Sequence, residues 1–214
     1  MMPGPSEQRL AAFALVNADI AAVSERAGYE FRRLVELINT QKRYPALVPV
    51  LIEWVKTVDE RTSLTDPRDL GDLRESLYRA LTTLDALGTE AVPLLLTQYK
   101  VDPLLSDFNS YGLSNALLYL AMPSNFDDIA RLAQDRSIGG RSPLLDWLIQ
   151  QGREDGLQIV VREIEDPKVR PLAIKHLRKF RPLPTGLRPV IEPYLDDPDS
   201  EVRKQAKLTL KKLP

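Results

Sequence analysis

The 214-residue chain holds one histidine, His176, and no cysteine. An imidazole can act as a general base or a metal ligand, but either role needs partners. A serine triad needs a nucleophile within reach of the base, and the sequence around His176 offers none. No histidine–carboxylate cluster has metal-ligand spacing. Without cysteine there are no disulfides, thiol nucleophiles or thiolate ligands. Gly139-Gly140-Arg141-Ser142 looks like a fragment of a phosphate loop. It lacks the G-x-x-x-x-G-K-S/T spacing and a preceding strand, so it reads as a plain turn between helices. Acidic pairs occur at Asp127-Asp128, Asp196-Asp197 and Glu163/Glu165. Acid–base catalysis needs two carboxylates converging on one pocket with their pKa values split apart. These pairs fall in turns or at helix ends, where a carboxylate caps the helix or complements its dipole. No catalytic, cofactor or metal residue is therefore assigned, and a non-enzyme is expected.

The elements that would position any such residues repeat. Glu165-Asp166-Pro167-Lys168-Val169-Arg170 is followed by Ala173, Leu177 and Phe180; Asp196-Asp197-Pro198-Asp199-Ser200-Glu201-Val202-Arg203 is followed by Ala206, Leu210 and Leu213. Counted from each Arg, the apolar positions fall at +3, +7 and +10 in both copies. Spacings of three and four residues put side chains on one helical face. Asp-Pro ahead of that face is a helix start: Asp accepts from free backbone N–H groups, and Pro tolerates the first turn. Shorter amphipathic segments, Gly156–Glu165 and Gly186–Leu195, precede the two copies. Each unit thus reads as helix, tight turn, helix, and one such hairpin must stack on neighbours to bury its apolar face.

The same frame recurs upstream. Residues 1–6 read as a tail, and Glu7–Ala27 as a helix with Leu10, Phe13, Ala14, Val16 and Ile20 on its apolar face, broken by Gly28. Phe31, Leu34, Leu37 and Ile38 make a short second face. Tyr44–Val58 is helix-like; Pro45 suits its first turn, and Pro49 either kinks it or marks its true start. Thr65-Asp66-Pro67 opens a helix carrying Arg74, Leu77, Leu81 and Leu84, and Gly88 stops it. Glu90–Tyr99, a loop to Asp107, a helix with Leu113, Ala116, Leu117 and Leu120, and Phe126–Ala133 follow. Asp135, Arg141, Leu144 and Leu148 then restore the frame. The anchors are 74, 113, 141, 170 and 203, spaced 39, 28, 29 and 33 residues apart. No stretch alternates with period two, so no strand is expected.

Asp166, Val169, Arg170, Ala173 and Leu177, with Asp197, Val202, Arg203, Ala206 and Leu210, resemble HEAT repeats, most closely over residues 153–213. The chain as a whole resembles small bacterial HEAT-repeat proteins of undefined function, through Tyr44-Pro45-Ala46-Leu47-Val48-Pro49-Val50-Leu51 and the C-terminal pair. The resemblance implies an all-α fold: a right-handed α-solenoid of about five antiparallel helix hairpins, HEAT- or armadillo-like, with N-terminal capping helices. It also implies a ladder of ion pairs in which each turn Asp meets an Arg of the neighbouring repeat, interrupted where Leu113 takes the Arg slot. One domain over 1–214 is expected, with a tail and capping helices in 1–43 and repeats in 44–214.

The chain is 43% hydrophobic and 28% charged, with net charge −1. A near-neutral balance argues against general nucleic-acid binding. Residues 151–214 hold 14 basic and 10 acidic side chains, against 15 and 20 upstream. The N-terminus lacks a signal pattern and no apolar run is long enough to span a bilayer, so a monomeric cytoplasmic protein without cofactor is expected. Position +6 of successive second helices reads Ala80, Tyr119, Trp147, His176 and Thr209, with Asn115, Gln150 and Lys179 beside it. In HEAT-like arrays the second helices line the concave groove where partners dock. Asn115, Tyr119, Trp147, Gln150, His176 and Lys179 are therefore the candidate contacts for a protein or peptide partner. A second candidate surface is the basic stripe Lys204, Lys207 and Lys211. The alternative function is a HEAT-like alkylpurine DNA glycosylase using Arg141, Asp146 and Trp147. Neighbours on a helix point roughly 100° apart, so Asp146 and Trp147 do not face one cleft squarely.

Overall fold

The computed structural model describes residues 6–101 and 107–213. The expected tail at 1–5 and the loop before Asp107 lie outside them. The described residues are all-helical, with no strand. The α-helices are α1 (Glu7–Ala27), α2 (Val48–Arg61), α3 (Pro67–Leu81), α4 (Ala91–Val101), α5 (Asp107–Leu120), α6 (Phe126–Gln134), α7 (Ser142–Gln150), α8 (Glu154–Arg162), α9 (Arg170–Leu177), α10 (Arg188–Ile191) and α11 (Ser200–Leu210). Short 3-10 turns join several of them. The chain divides into two compact units, Met1–Ala121 and Met122–Pro214.

In the first unit, Ser6 caps α1 by accepting from the Arg9 N–H at 3.0 Å, and Gly28 ends the helix at φ 73°. The face buried by α1 is Ala12, Val16, Ile20 and Ser24; Leu10, expected on it, is exposed. Pro49 marks a start rather than a kink, because α2 begins at Val48 after a 3-10 turn over Pro45–Leu47. Trp54 of α2 is buried and donates to Asp19 of α1 at 2.9 Å. Asp66 caps α3 by accepting from the Arg68 N–H at 2.8 Å. Helix α3 ends at Leu81, so Leu84 falls in the following 3-10 turn and faces solvent. Helices α3 and α5 approach closely at Gly71, where a Cβ would collide with the Asn109 amide. Leu113, Ala116, Leu117 and Leu120 of α5 are all buried, as the spacing predicts.

In the second unit the helices come in pairs: α6 with α7, α8 with α9, and α10 with α11. Helix α7 contacts α6, α8 and α9, and α11 lies on α9. The turn before each second helix is capped by its own aspartate: Asp166 accepts from the Lys168 N–H at 3.0 Å and Asp197 from the Asp199 N–H at 2.9 Å. Asp199 in turn caps α11, accepting from Glu201 at 2.7 Å. Arginines tie successive pairs together. Arg141, only 1% exposed, donates to Asp166, to Glu163 at 2.6 Å and to the Ala133 carbonyl at 2.5 Å. Arg170 reaches Asp197 at 3.2 Å. Arg203 donates to the carbonyls of Asp197 and Pro198. The first helix of the last pair is shorter than expected. Pro193 has no N–H to continue α10, and the chain goes on as a 3-10 turn over Glu192–Asp196.

Candidate functional site

Helix α7 carries Ser142, Asp146 and Gln150 at four-residue intervals, one stripe along its face. Helix α9 and the turn after it bring His176 and Lys179 against that stripe. Ser142 Oγ lies 3.2 Å from His176 Nε2. On the other side of the ring, His176 Nδ1 lies 3.4 Å from Asp146 Oδ1, a charge contact without good hydrogen-bond geometry. Lys179 Nζ donates to both Asp146 oxygens, at 2.8 and 2.6 Å. Burial would raise the Asp146 carboxyl, but His176 and Lys179 outweigh it and hold it well below the usual carboxylate range.

Serine, imidazole and carboxylate thus stand in the order of an activated nucleophile. The sequence did not place a hydroxyl near His176 because Ser142 is 34 residues away and one helix pair earlier. Ser142, Asp146 and His176 are all buried. Asp146 is also clamped by Lys179, so it cannot serve the imidazole alone. The constellation acts as a polar tie that locks α7 to α9.

The six candidate partner residues fall into three environments. Gln150, His176 and Lys179 gather around Asp146, with Gln150 and Lys179 at the surface and His176 inside. Trp147 does not offer a surface: it is 1% exposed and its ring tilts against Phe126, with centroids 6.2 Å apart. Thr209, at the same frame position, is also buried, and its hydroxyl donates to the Ile174 carbonyl at 2.9 Å. In the second unit, then, the +6 stripe is interior. A large aromatic between packed helix pairs gains more by burial than by exposure. The Arg141, Asp146 and Trp147 set is divided in the same way among a buried ion pair, the polar tie and the core.

Asn115 and Tyr119 lie on α5 of the first unit. Tyr119 is 63% exposed and Asn115 half-buried. One turn before Asn115, Tyr111 is 49% exposed. Tyr111 was missed as a candidate, although its spacing of four and eight residues from Asn115 and Tyr119 puts all three on one face.

The second unit also has an open groove of about 510 Å³ between α6 and α8. Phe126, Ala130 and Ile159 form its floor; Asp127, Asp135 and Asp155 stand around it. None of Ser142, Asp146 or His176 lines it. Among the described residues no group of three or more His, Asp or Glu side chains could hold a metal ion. No described helix is long and apolar enough to cross a membrane. No protein-family model matches the chain, and no curated protein or solved structure matches it.

Proposed function

We propose that this protein is a non-catalytic interaction module, built as a short HEAT-like array of helix hairpins, that binds a protein partner in the cytoplasm. The observation that carries this reading is the exposed face of α5: Tyr111 and Tyr119 stand in solvent on either side of Asn115. A tyrosine combines a rigid apolar ring with a polar tip and loses little entropy on contact, which makes it a frequent energetic anchor at interfaces. The paired helices and Arg–Asp links of the second unit support the repeat architecture. The polar tie, closed around its own groups, supports a scaffold more than a reaction centre.

The test compares capture of a partner from host lysate by the wild type and by a Tyr111→Ala/Tyr119→Ala variant, followed by titration of the captured protein. Both residues face solvent, so the variant's helical circular dichroism and melting point should be unchanged. The two anchors together contribute about 2 kcal/mol or more, so the double variant should bind at least ~30-fold more weakly. Equal capture by both proteins, with equal affinity, would remove α5 as the contact.

A further inference from the structure

We propose that the groove between α6 and α8 is the docking site for an extended basic segment of a partner protein, one carrying two arginines four residues apart. This groove belongs to the second unit and the tyrosine face to α5 of the first, and the two rest on different residues.

The groove already displays the chemistry it would use. Arg153, at the start of α8, lays its guanidinium 3.6 Å from the centre of the Phe126 ring. Asp155 holds that guanidinium through two bonds, at 3.0 and 2.6 Å. An aromatic face with a planar carboxylate partner is an arginine seat. Here the chain fills it with its own side chain. Two further carboxylates remain. Asp127 has no hydrogen bond or ion pair among the described residues, and Arg153 alone feels its charge. Asp135 uses Oδ1 to hold Ser137, at 3.0 and 2.5 Å, and its other oxygen has no partner among the described residues. The one cation in the lining, Arg131, is already paired with Asp128.

The local charge is also opposite to that of its surroundings. Residues 122–214 hold 17 Lys+Arg and 14 Asp+Glu, a basic excess, yet the groove presents two carboxylates, Asp127 and Asp135, that no ion pair holds among the described residues. Generic attraction of cations to this unit is therefore weak, and a preference for this groove would be local. Spacing selects the register. Asp127 lies in the first turn of α6 and Asp135 is the residue that ends it, eight positions on, about 12 Å if the helical rise is carried to the cap. An extended segment covers about 13 Å in four residues, so arginines at i and i+4 would meet both carboxylates. The side chain at i+2 would then lie over the apolar floor at Ala130 and Ile159.

The full-length protein is titrated with the fluorescent peptide Gly-Arg-Ser-Leu-Ser-Arg-Gly, read by anisotropy. Saturable binding is expected. It should weaken about fivefold or more in Asp127→Asn/Asp135→Asn, since asparagine keeps the Asp135 turn contact but removes both charges. It should weaken for a peptide with arginines two residues apart, and for the lysine version, which lacks the planar fork. Asp→Asn substitutions can perturb α6, so Glu25→Gln/Glu60→Gln serves as a control. It removes the same charge from exposed positions in the first unit and should leave the affinity unchanged. Equal weakening by the control pair, indifference to arginine spacing, or no saturable binding would each overturn the proposal. So would self-association at titration concentrations that Lys204→Glu/Lys207→Glu abolishes, because a second copy would then be the occupant.

Discussion

Asp146 shows how little a residue's chemistry reveals of its role until its neighbours are known. Its carboxylate is buried, yet Lys179 and His176 keep it charged. Its folded pKa therefore lies below its unfolded one. By linkage, such a group contributes stability that is fully present above the unfolded carboxylate value and is lost as pH falls toward the folded one. Asp146→Asn should thus cost about 2 kcal/mol at neutral pH, the scale of a hydrogen bond to a charged group. Urea unfolding measures that loss, and it should shrink steadily as the titration is repeated at pH values below about 4. A cost that stays constant across that range would mean the charge contributes nothing. In the sequence, Asp146 and His176 fall within the second-helix frames, whereas Ser142, read as part of the turn Gly139-Gly140-Arg141-Ser142, is the first residue of α7. Their meeting was not legible, because helical periodicity reports which residues share a face and not which face lies opposite. The same blindness covers Trp147. Its position on a stripe was readable, but whether solvent or another helix covered that stripe was not.

Among the elements, the Asp-Pro turns were the most legible signal, because each combines a local capping reaction with a following Arg that starts the same apolar frame. The capping bonds from Asp66, Asp166 and Asp197 follow from that signature directly. Less legible was the inequality of the links between pairs. Arg141 is fully enclosed and meets two acids, the second of which, Glu163, comes from a 3-10 turn outside the repeated motif. Arg170 is partly exposed and meets one acid, with its guanidinium also 5.6 Å from the Tyr194 ring centre. Removing one partner of an enclosed ion pair strands the other in low dielectric, whereas a partly solvated pair is screened. Arg141→Ala should therefore destabilise by about 3 kcal/mol or more. Arg170→Ala should cost about 1 kcal/mol. Denaturant midpoints of the two variants at equal m-value provide the comparison, and equal costs would contradict the burial argument.

Over the whole molecule, the sequence reads as one array from residue 44 onward, while the contacts divide the chain after Ala121. Leu113, in the last helix of the first unit, fills the slot that Arg holds in the other frames, and the Arg141–Asp166 and Arg170–Asp197 links both lie in the second unit. Each unit also carries a buried apolar set. The second buries Phe126, Ile129, Leu144, Trp147, Leu148, Val160, Ile164, Ile174 and Leu177, drawn from four helices and the turn after α8. A domain near 100 residues that closes its own core commonly reaches a stability of about 5 kcal/mol or more. Residues 122–214 expressed alone should accordingly give helical circular dichroism, a buried-tryptophan emission maximum from Trp147, and a single cooperative urea transition. Trp147 is the only tryptophan in that segment, so its emission reports the core directly. A red-shifted maximum without a cooperative transition would show that the second unit depends on the first for its core, and the stability costs argued for Arg141 and Asp146 would then have to be read as properties of the entire chain.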